Sequence, residues 1–287
     1  MPFTSYTFSI SGVTIAFRLP WPCEITPAFQ PFLTQRQADI RIEVQTSPVL
    51  PVFQEPPIHE GVLFQVYQTP QGFVRVFREK QEKSPVYAQS RYDASSHCGT
   101  ITCLPGNEQA FREISNVFLH IGLEPLMLSF DRLLFHACFV STEPGGILFS
   151  GPSGIGKSTQ GNLWTRFRGA RVLNGDRPVL SRQADGWHAW GSPYAGSSHV
   201  HLNEEQPVRA VVMLRQGSQN TAERLSVQQA FRGLYSATVM NTWDRTYMTQ
   251  ACDLLAQLAN EVPVYRLTCT PDERAVQCLE DKLREGG

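Results

Sequence analysis

Lysine is scarce in this sequence, and net charge is almost absent. Only four of the 25 basic residues are lysines, and the 26 acidic residues leave a formal net charge of −1. Proteins that bind a polyanion through their overall charge carry a clear excess of basic residues. The composition therefore argues against nucleic acid as a partner, and it gives weight to any lysine that lies within a motif.

Long apolar runs and paired cysteines are also missing. No apolar stretch reaches the length of a membrane span, and no cationic segment followed by an apolar one opens the chain. The seven cysteines are odd in number and contain no C-x-x-C pair. Scattered thiols of this kind are typical of a reducing compartment. We therefore expect a cytoplasmic protein without a membrane partner.

What the sequence does contain is a complete G-x-x-x-x-G-K-[ST] motif, preceded by an apolar run and followed by a segment that can form a helix. Its glycines let the backbone turn so that successive N–H groups face a phosphate. Lys157 then reaches the β- and γ-phosphates, and the Ser158 hydroxyl is placed to bind Mg²⁺. The predicted nucleotide-binding residues are Gly151, Pro152, Ser153, Gly154, Ile155, Gly156, Lys157, Ser158 and Thr159. ATP and Mg²⁺ are the ligands that we expect.

Asp176 ends a short predicted strand, residues 171–176, that follows the predicted loop helix. In a parallel arrangement, its carboxylate would emerge at the same sheet edge as the bound phosphates. There it could bind Mg²⁺, together with Ser158, or accept a proton from a hydroxyl that attacks the γ-phosphate. The alternative is an aspartate in a turn that bonds to its own backbone.

Taken together, a strand carrying Leu-Phe-His136, the loop 151–159 and the sequence Asn-Gly-Asp-Arg ending at Arg177 resemble the kinase domain of the HPr kinase/phosphorylase family. That family shares its loop with ATP-dependent phosphoenolpyruvate carboxykinase. The resemblance covers residues 131–287 and is strongest over 133–200. It implies transfer of the γ-phosphate of ATP to a hydroxyl, commonly that of serine.

The resemblance also assigns roles to individual residues. It places Asp176 on the first acid of the family's Asp-Asp pair, the candidate general base, and keeps the loop role of Lys157. It matches His136 to a histidine near the phosphates, although a histidine satisfied by backbone in the core is equally compatible with the sequence. Catalysis is thus expected from Asp176, His136 and Lys157.

Arg177 departs from the family pattern, which has a second, metal-binding acid at this position. A cation cannot bind Mg²⁺, but it can contact a phosphate. The sequence therefore leaves two functions open. One is a kinase that phosphorylates a serine-like hydroxyl of a protein, peptide or small molecule. The other is a catalytically inactive nucleotide-binding partner or regulatory protein of the same fold.

A segment rich in small residues, 191–199, follows a predicted hairpin at Asp185-Gly186. Small residues let the backbone approach a ligand closely, so this segment is either one wall of the acceptor pocket or a flexible connector. The candidate substrate-binding residues are Arg177, Ser192, Tyr194, Ser197, Ser198 and His199.

The rest of the pattern predicts the domain organisation. Alternating apolar and polar residues predict a β-rich N-terminal domain over 1–106. Apolar residues at three- and four-residue spacing predict a helical connection over 107–130, which Pro125 splits. Residues 131–287 are then predicted to form the P-loop domain. The fold class is α/β, with a mixed sheet in the P-loop domain. The family resemblance also allows a homo-oligomer. The acceptor, the choice of ATP over GTP and the role of the N-terminal domain stay open.

Three local predictions concern the elements near the site and the C-terminal helices. Residues 133–140 form one buried strand, and residues 171–176 form a strand that ends in the acid. Capping boxes at 226–229 and 270–273 begin two of the C-terminal helices.

Overall fold

The computed structural model of the chain describes residues 3–79 and 84–285. The chain forms two compact units: the first holds the chain up to Phe130 together with Asn241–Arg245, and the second holds Asp131–Met240 and the chain from Thr246 onward. Within the described residues, no helix combines the length and apolar character needed to span a membrane.

The first unit is built on a sheet of eight strands. The strands are β1 (Thr4–Ile10), β2 (Val13–Leu19), β3 (Ile40–Thr46), β4 (His59–Glu60), β5 (Gln65–Thr69), β6 (Gly72–Arg78), β7 (Val86–Asp93) and β8 (Cys98–Cys103). Their order across the sheet is β1-β2-β3-β8-β7-β6-β5-β4. β3 runs parallel to β2 and β8, and the other neighbouring pairs are antiparallel.

Alternating residues on both sides of Ser11-Gly12 and of Pro70-Gln71-Gly72 predict two hairpins in this region, and both are confirmed. Ser11 and Gly12 join β1 to β2 with φ values of 50° and 76°, the left-handed pair that suits a two-residue hairpin turn. The second hairpin joins β5 to β6, with Thr69 opposite Gly72. Alternating sequence and turn residues were sufficient here because both requirements are local.

The helical segment divides at Gly122, not at Pro125 as predicted. α1 (Ile114–Ile121) ends where Gly122 adopts a φ of 79°, and α2 (Leu123–Leu128) begins directly afterwards. Pro125 lies in the first turn of α2, where an N–H group has no intrahelical partner, so proline is tolerated. The break therefore requires the left-handed glycine, and the proline is compatible with the new helix.

The second unit contains a sheet of nine strands and four helices. The elements are β9 (Arg132–Leu134), β10 (Ala137–Thr142), β11 (Gly145–Ser150), α3 (Lys157–Arg168), β12 (Arg171–Asn174), β13 (Val179–Gln183), β14 (Gly186–Trp190), β15 (Glu205–Gln216), β16 (Thr221–Arg224), α4 (Val227–Ala237), α5 (Arg245–Glu261), β17 (Val264–Cys269) and α6 (Glu273–Glu285). The order is β12-β10-β11-β15-β14-β13-β9, with β17 beside β15 and β16 beside β17. The architecture is mixed α/β.

Strand direction in this sheet brings several chain ends to one edge. β10 lies between β11 and β12 and is antiparallel to both, while β15 runs parallel to β11 and β17. The carboxyl ends of β11, β12, β15 and β17 therefore meet the amino end of β10. On one face, Phe149, Trp164 and Tyr265 belong to an apolar core between the sheet and its helices.

Two predicted strands near this edge are shorter than expected. The predicted strand 133–140 is broken at Phe135 and His136, because β9 pairs with β13 whereas β10 pairs with β11 and β12. The strand predicted over 171–176 ends at Asn174, since the residues that follow form a turn. Both differences place polar residues just outside the strands.

The predicted helix starts have different outcomes. Ser226 and Gln229 form the predicted reciprocal capping box of α4. At α6 the predicted box at Thr270 is wrong: the Asp272 carboxylate accepts the Arg274 N–H, so Asp272 caps the helix. Thr270 instead donates its hydroxyl to Asp272.

Candidate functional site

The segment between β11 and α3, residues 151–156, is called the glycine loop below. Gly151, Gly154 and Gly156 have φ values of 146°, 76° and 116°, a range that side chains with a Cβ rarely adopt. Among the described residues, no side chain caps α3 and no acid lies in its first turn. The positive end of the α3 helix dipole is therefore not neutralised by these side chains, so this helix end favours the binding of an anion.

α3 approaches the sheet closely because Gly161 has no side chain. A Cβ at Gly161 would lie 2.7 Å from the Cys138 sulfur of β10. Farther along α3, Arg168 donates from Nε to Glu280 of α6 over 2.8 Å, and Gly169 ends the helix in the left-handed conformation. These contacts fix the helix and therefore the glycine loop at its amino end.

Lys157, the first residue of α3, folds back across the glycine loop. Its Nζ donates to the carbonyl oxygens of Gly151 and Pro152 over 3.0 and 3.2 Å. Burial lowers the pKa of Lys157, and the nearby Asp176 carboxylate opposes that shift. The side chains of Ser158 and Thr159, in the same helical turn, are exposed.

His136 is held at the sheet edge by its backbone. Its N–H donates to the Ala237 carbonyl over 2.7 Å, and its carbonyl accepts the buried Ser150 hydroxyl over 2.7 Å. The main chain of His136 is therefore fixed by these two bonds, and its imidazole ring makes the contact with Asp176. It is 38% exposed, so this histidine is not enclosed in the core.

Asp176 lies between two cationic or basic groups. Its Oδ1 is 3.2 Å from His136 Nε2, and its Oδ2 is 3.5 Å from Arg177 Nε. Burial lowers the pKa of His136, the Lys157 ammonium lowers it further, and Asp176 opposes both effects. The side chains of Lys157, His136, Asp176 and Arg177 therefore form one electrostatic cluster beside the glycine loop.

Asn174 organises this cluster, and its role was not predicted. Its side chain is fully buried; Oδ1 accepts the N–H groups of Asp176 and Arg177 over 3.1 and 2.8 Å. Its Nδ2 donates to the carbonyls of Ser192 and Tyr194 over 2.9 and 3.2 Å. The signal was present in the sequence Asn-Gly-Asp, because asparagine often bonds to the backbone two residues on.

The 191–199 loop packs against Asp176. A Cβ at Gly196 would lie 2.9 Å from the Asp176 Cβ, and a Cβ at Gly175 would overlap the Ser198 hydroxyl. Small residues at these two positions are therefore required for the observed approach. The loop therefore forms part of the surroundings of the cluster.

The candidate substrate residues of this loop differ in their surroundings. Ser192 is wrongly placed among them: it is completely buried, and its hydroxyl donates to the Arg177 carbonyl over 2.6 Å, so it cannot reach a substrate. Ser198 donates to the Ala195 carbonyl over 2.7 Å. Ser197 and His199 are exposed, and the Tyr194 ring lies 5.8 Å from the Arg177 guanidinium carbon.

The metal-binding capacity of these residues is limited. Among the described residues, no three His, Cys, Asp or Glu side chains are grouped so that they could hold a metal ion. Mg²⁺ on a nucleotide needs few protein ligands, since phosphates and water supply the rest. The oxygen donors of Ser158 and Asp176 suit that ion, whereas Arg177 does not.

Comparison with known proteins adds a distant structural similarity. No protein-family model and no curated protein sequence matches the chain. The chain is similar to a solved structure described as the Hpr(Ser) kinase/phosphatase from Coxiella burnetii, with 13% identity, a TM-score of 0.33, and coverage of 53% of this chain and 93% of the other. A likeness at this level supports no statement about activity, so the function is inferred from the side-chain arrangement.

Proposed function

We propose that the second unit binds a nucleoside triphosphate, with ATP as the expected one, and transfers its γ-phosphate to a serine-like hydroxyl. One observation carries the proposal: the strand pairing brings the glycine loop, beyond β11, and Asp176, beyond β12, to the same edge of the sheet, and there the Asp176 carboxylate opposes the lowering of the Lys157 pKa by burial. Phosphoryl transfer needs this combination of a phosphate-binding lysine and an acid facing it.

The glycine loop supplies the first part of the mechanism. Its backbone N–H groups and the start of α3 would bind the phosphates, and Lys157 would exchange its bonds to the Gly151 and Pro152 carbonyls for bonds to phosphate oxygens. The exchange is favourable because a charge-assisted bond to an anion is stronger than one to a neutral carbonyl.

Mg²⁺, held by Ser158 and Asp176, would neutralise charge on the phosphates. The acceptor oxygen forms a bond to the γ-phosphorus as the bond from that phosphorus to the β–γ bridging oxygen breaks. The hydroxyl proton passes to Asp176, and the products are ADP and a phosphate monoester. His136 lies 3.2 Å from Asp176 and orients the carboxylate. Its Nε2 donates a hydrogen bond to the carboxylate, and it can accept one only after Asp176 has taken up the proton.

A second candidate function rests on Arg177. Its Nε faces the Asp176 oxygen that His136 does not contact, so both carboxylate oxygens have a neighbour. Neither oxygen is then free of a protein neighbour, which leaves the carboxylate less available to an incoming hydroxyl. The same fold would then be a nucleotide-dependent partner protein without turnover.

Nucleotide binding is tested by calorimetry with Mg²⁺-ATP on the full chain. Lys157→Ala should lower the affinity at least about tenfold, because one charge-assisted contact is lost. Lys282→Ala is the matched control: this partly exposed lysine pairs with Glu285 on α6, and the variant should bind ATP like the wild type. Equal affinities of the wild type and Lys157→Ala would contradict the proposal.

Transfer is tested with γ-labelled ATP, Mg²⁺ and a fractionated lysate, followed by location of the label. The wild type should label an acceptor, and Asp176→Asn should lower the rate about 10²- to 10⁴-fold while keeping the affinity for metal-free ATP. Nucleotide binding without any labelled acceptor would favour the partner-protein function.

A further inference from the structure

The backbone of Arg177 is held by hydrogen bonds, whereas its guanidinium group has few contacts. Its N–H bonds to the Asn174 side chain, and its carbonyl accepts the Ser192 hydroxyl. Its side chain is 41% exposed and extends past Asp176 toward the face of Tyr194. The position of this guanidinium is therefore set by the fold, although it lies at the surface.

The contacts of Arg177 use little of its hydrogen-bonding capacity. Its Nε lies 3.5 Å from Asp176, longer than the 2.7–2.9 Å of a strong charge-assisted bond. Among the described residues, its two terminal nitrogens have no hydrogen-bond partner. Arg168 offers a contrast, because Nε, Nη1 and Nη2 of that residue all donate to protein oxygens. A guanidinium with a free planar fork suits a carboxylate.

The position of Arg177 relative to Lys157 indicates which substrate it faces. Within the described part of the chain, Asp176 is the charged group that raises the pKa of Lys157, since burial keeps the Cys138 thiol neutral. Arg177 lies beside the Asp176 oxygen that His136 does not contact, so the guanidinium borders the carboxylate at Oδ2. If the γ-phosphate lies by Lys157 and the attacking hydroxyl approaches Asp176, the guanidinium faces the acceptor.

We propose that Arg177 determines acceptor specificity by binding a carboxylate on the hydroxyl acceptor, with the Tyr194 ring forming one wall of this subsite. The inference rests on the proposed kinase function and names its substrate class: a hydroxyl compound that carries a carboxylate near the reacting oxygen. A second acid at this position would repel such an acceptor. The arginine attracts it, so an anionic substrate is favoured.

The test measures acceptor binding directly, so it does not depend on turnover. The full chain is saturated with Mg²⁺ and the β,γ-imido analogue of ATP, and dissociation constants are measured by ligand-observed NMR for two matched pairs. N-acetylserine and N-acetylserinamide differ in the acceptor's own carboxylate. The capped peptides Glu-Ala-Ser-Ala-Glu and Gln-Ala-Ser-Ala-Gln differ only in flanking carboxylates.

The anionic member of at least one pair should bind about tenfold more tightly than its neutral partner, as one charge-assisted arginine contact predicts. Arg177→Ala should remove the preference and Arg177→Asp should reverse it. The preference should also weaken at high salt. Arg182→Ala, which removes an exposed arginine that pairs with Glu261, should leave it unchanged.

Equal binding within both pairs, no measurable binding of either anionic probe, or a preference that survives Arg177→Ala would overturn the inference. Failure of the proposed function has a different signature. Absence of transfer from labelled ATP would refute the kinase, while the binding preference and its dependence on Arg177 would still be measured.

Discussion

The histidines His120 and His136 show how differently the two units treat titratable groups. In the first unit, His120 contacts the Asn116 carbonyl at 2.6 Å and the Tyr87 hydroxyl at 2.8 Å, and burial lowers its pKa to about 4. In the second unit, His136 is partly exposed and faces Asp176. The first histidine is satisfied by neutral groups, whereas neighbouring charges act on the second.

The arginines repeat this contrast. Arg75 of the first unit is 10% exposed and lies between Glu124, Asn241 and the rings of Phe64 and Trp243. The guanidinium of Arg177 keeps a free fork at the surface of the second unit. A buried charge with partners, such as that of Arg75, contributes to the stability of the first unit. An exposed charge, such as that of Arg177, can bind a ligand. Chemistry is therefore expected in the second unit.

The largest expected effect tests the enclosed arginine. Arg75→Met should lower the free energy of unfolding of the first unit by about 3 kcal/mol, because Glu124 is left as a charge without its cation. Glu124 is partly buried, with 17% of its side chain exposed, so adding Glu124→Gln should restore part of the loss. Hydrogen exchange of the β6 and β7 amides measures the first unit selectively.

Arg91→Met is the control, since Arg91 is an exposed residue of the same sheet. Equal destabilisation of Arg91→Met and Arg75→Met would contradict a stabilising role of the enclosed arginine. A folded Arg75→Met variant that loses nucleotide affinity would contradict the assignment of chemistry to the second unit.

The next effect concerns pH and His120. Its pKa is about 4 in the folded state and about 6.5 when unfolded, so the unfolded chain binds more protons between these values. This contribution to stability is present above pH 6.5 and is lost as the pH falls toward 4. Linkage gives a loss of about 2 kcal/mol between pH 7 and pH 5.

Amide exchange of β7 and β8 at the two pH values measures this loss. His120→Gln, which cannot titrate, should show a drop that is smaller by that amount, and His199→Gln, which replaces an exposed histidine, should behave like the wild type. An unchanged drop in His120→Gln would mean that the enclosed histidine is not what makes the first unit sensitive to acid.

Local pattern was sufficient for much of the fold. The hairpins and the α4 capping box follow from short-range rules, and each was predicted. The helix break was misplaced because Pro125 is a strong sequence signal, whereas the left-handed conformation of Gly122 depends on where the next helix must begin. The broken strand at His136 could not be predicted, since apolar residues continue on both sides and only strand pairing separates β9 from β10.

The candidate site was accessible to sequence reasoning only in part. The glycine loop and Asp176 were identified because their spacing has a chemical reason. Ser192 was misassigned, because a serine in a small-residue loop has the same sequence signal whether its hydroxyl faces a ligand or bonds to the Arg177 carbonyl. Asn174 was overlooked because only its contacts with Asp176 and Arg177 are local, whereas those with the Ser192 and Tyr194 carbonyls join segments far apart in the chain.

Ser192 provides a smaller test within the second unit. Ser192→Ala removes the buried bond to the Arg177 carbonyl and should lower the free energy of unfolding by about 1 kcal/mol. Because that bond positions Arg177, the variant should also weaken the carboxylate preference of the acceptor site more than it weakens ATP affinity. Urea unfolding and the matched acceptor pairs provide the two measurements.

Ser197→Ala changes an exposed serine of the same loop and should have neither effect. Equal behaviour of the two serine variants would mean that the interior bonds of the 191–199 loop do not control the arginine.

The smallest effect is a change in the His136 pKa, and it tests the cluster without any ligand. NMR titration should show a higher pKa for His136 in Lys157→Ala, because a repelling charge is removed, and a lower pKa in Asp176→Asn, because an attracting one is removed. Lys282→Ala should change neither, and the signal of His120 in the same spectra should stay in place because burial sets its pKa. Shifts of opposite sign at one histidine require that both charges lie near it. A His136 pKa indifferent to both variants would separate the lysine from the acid and remove the geometric basis for phosphoryl transfer.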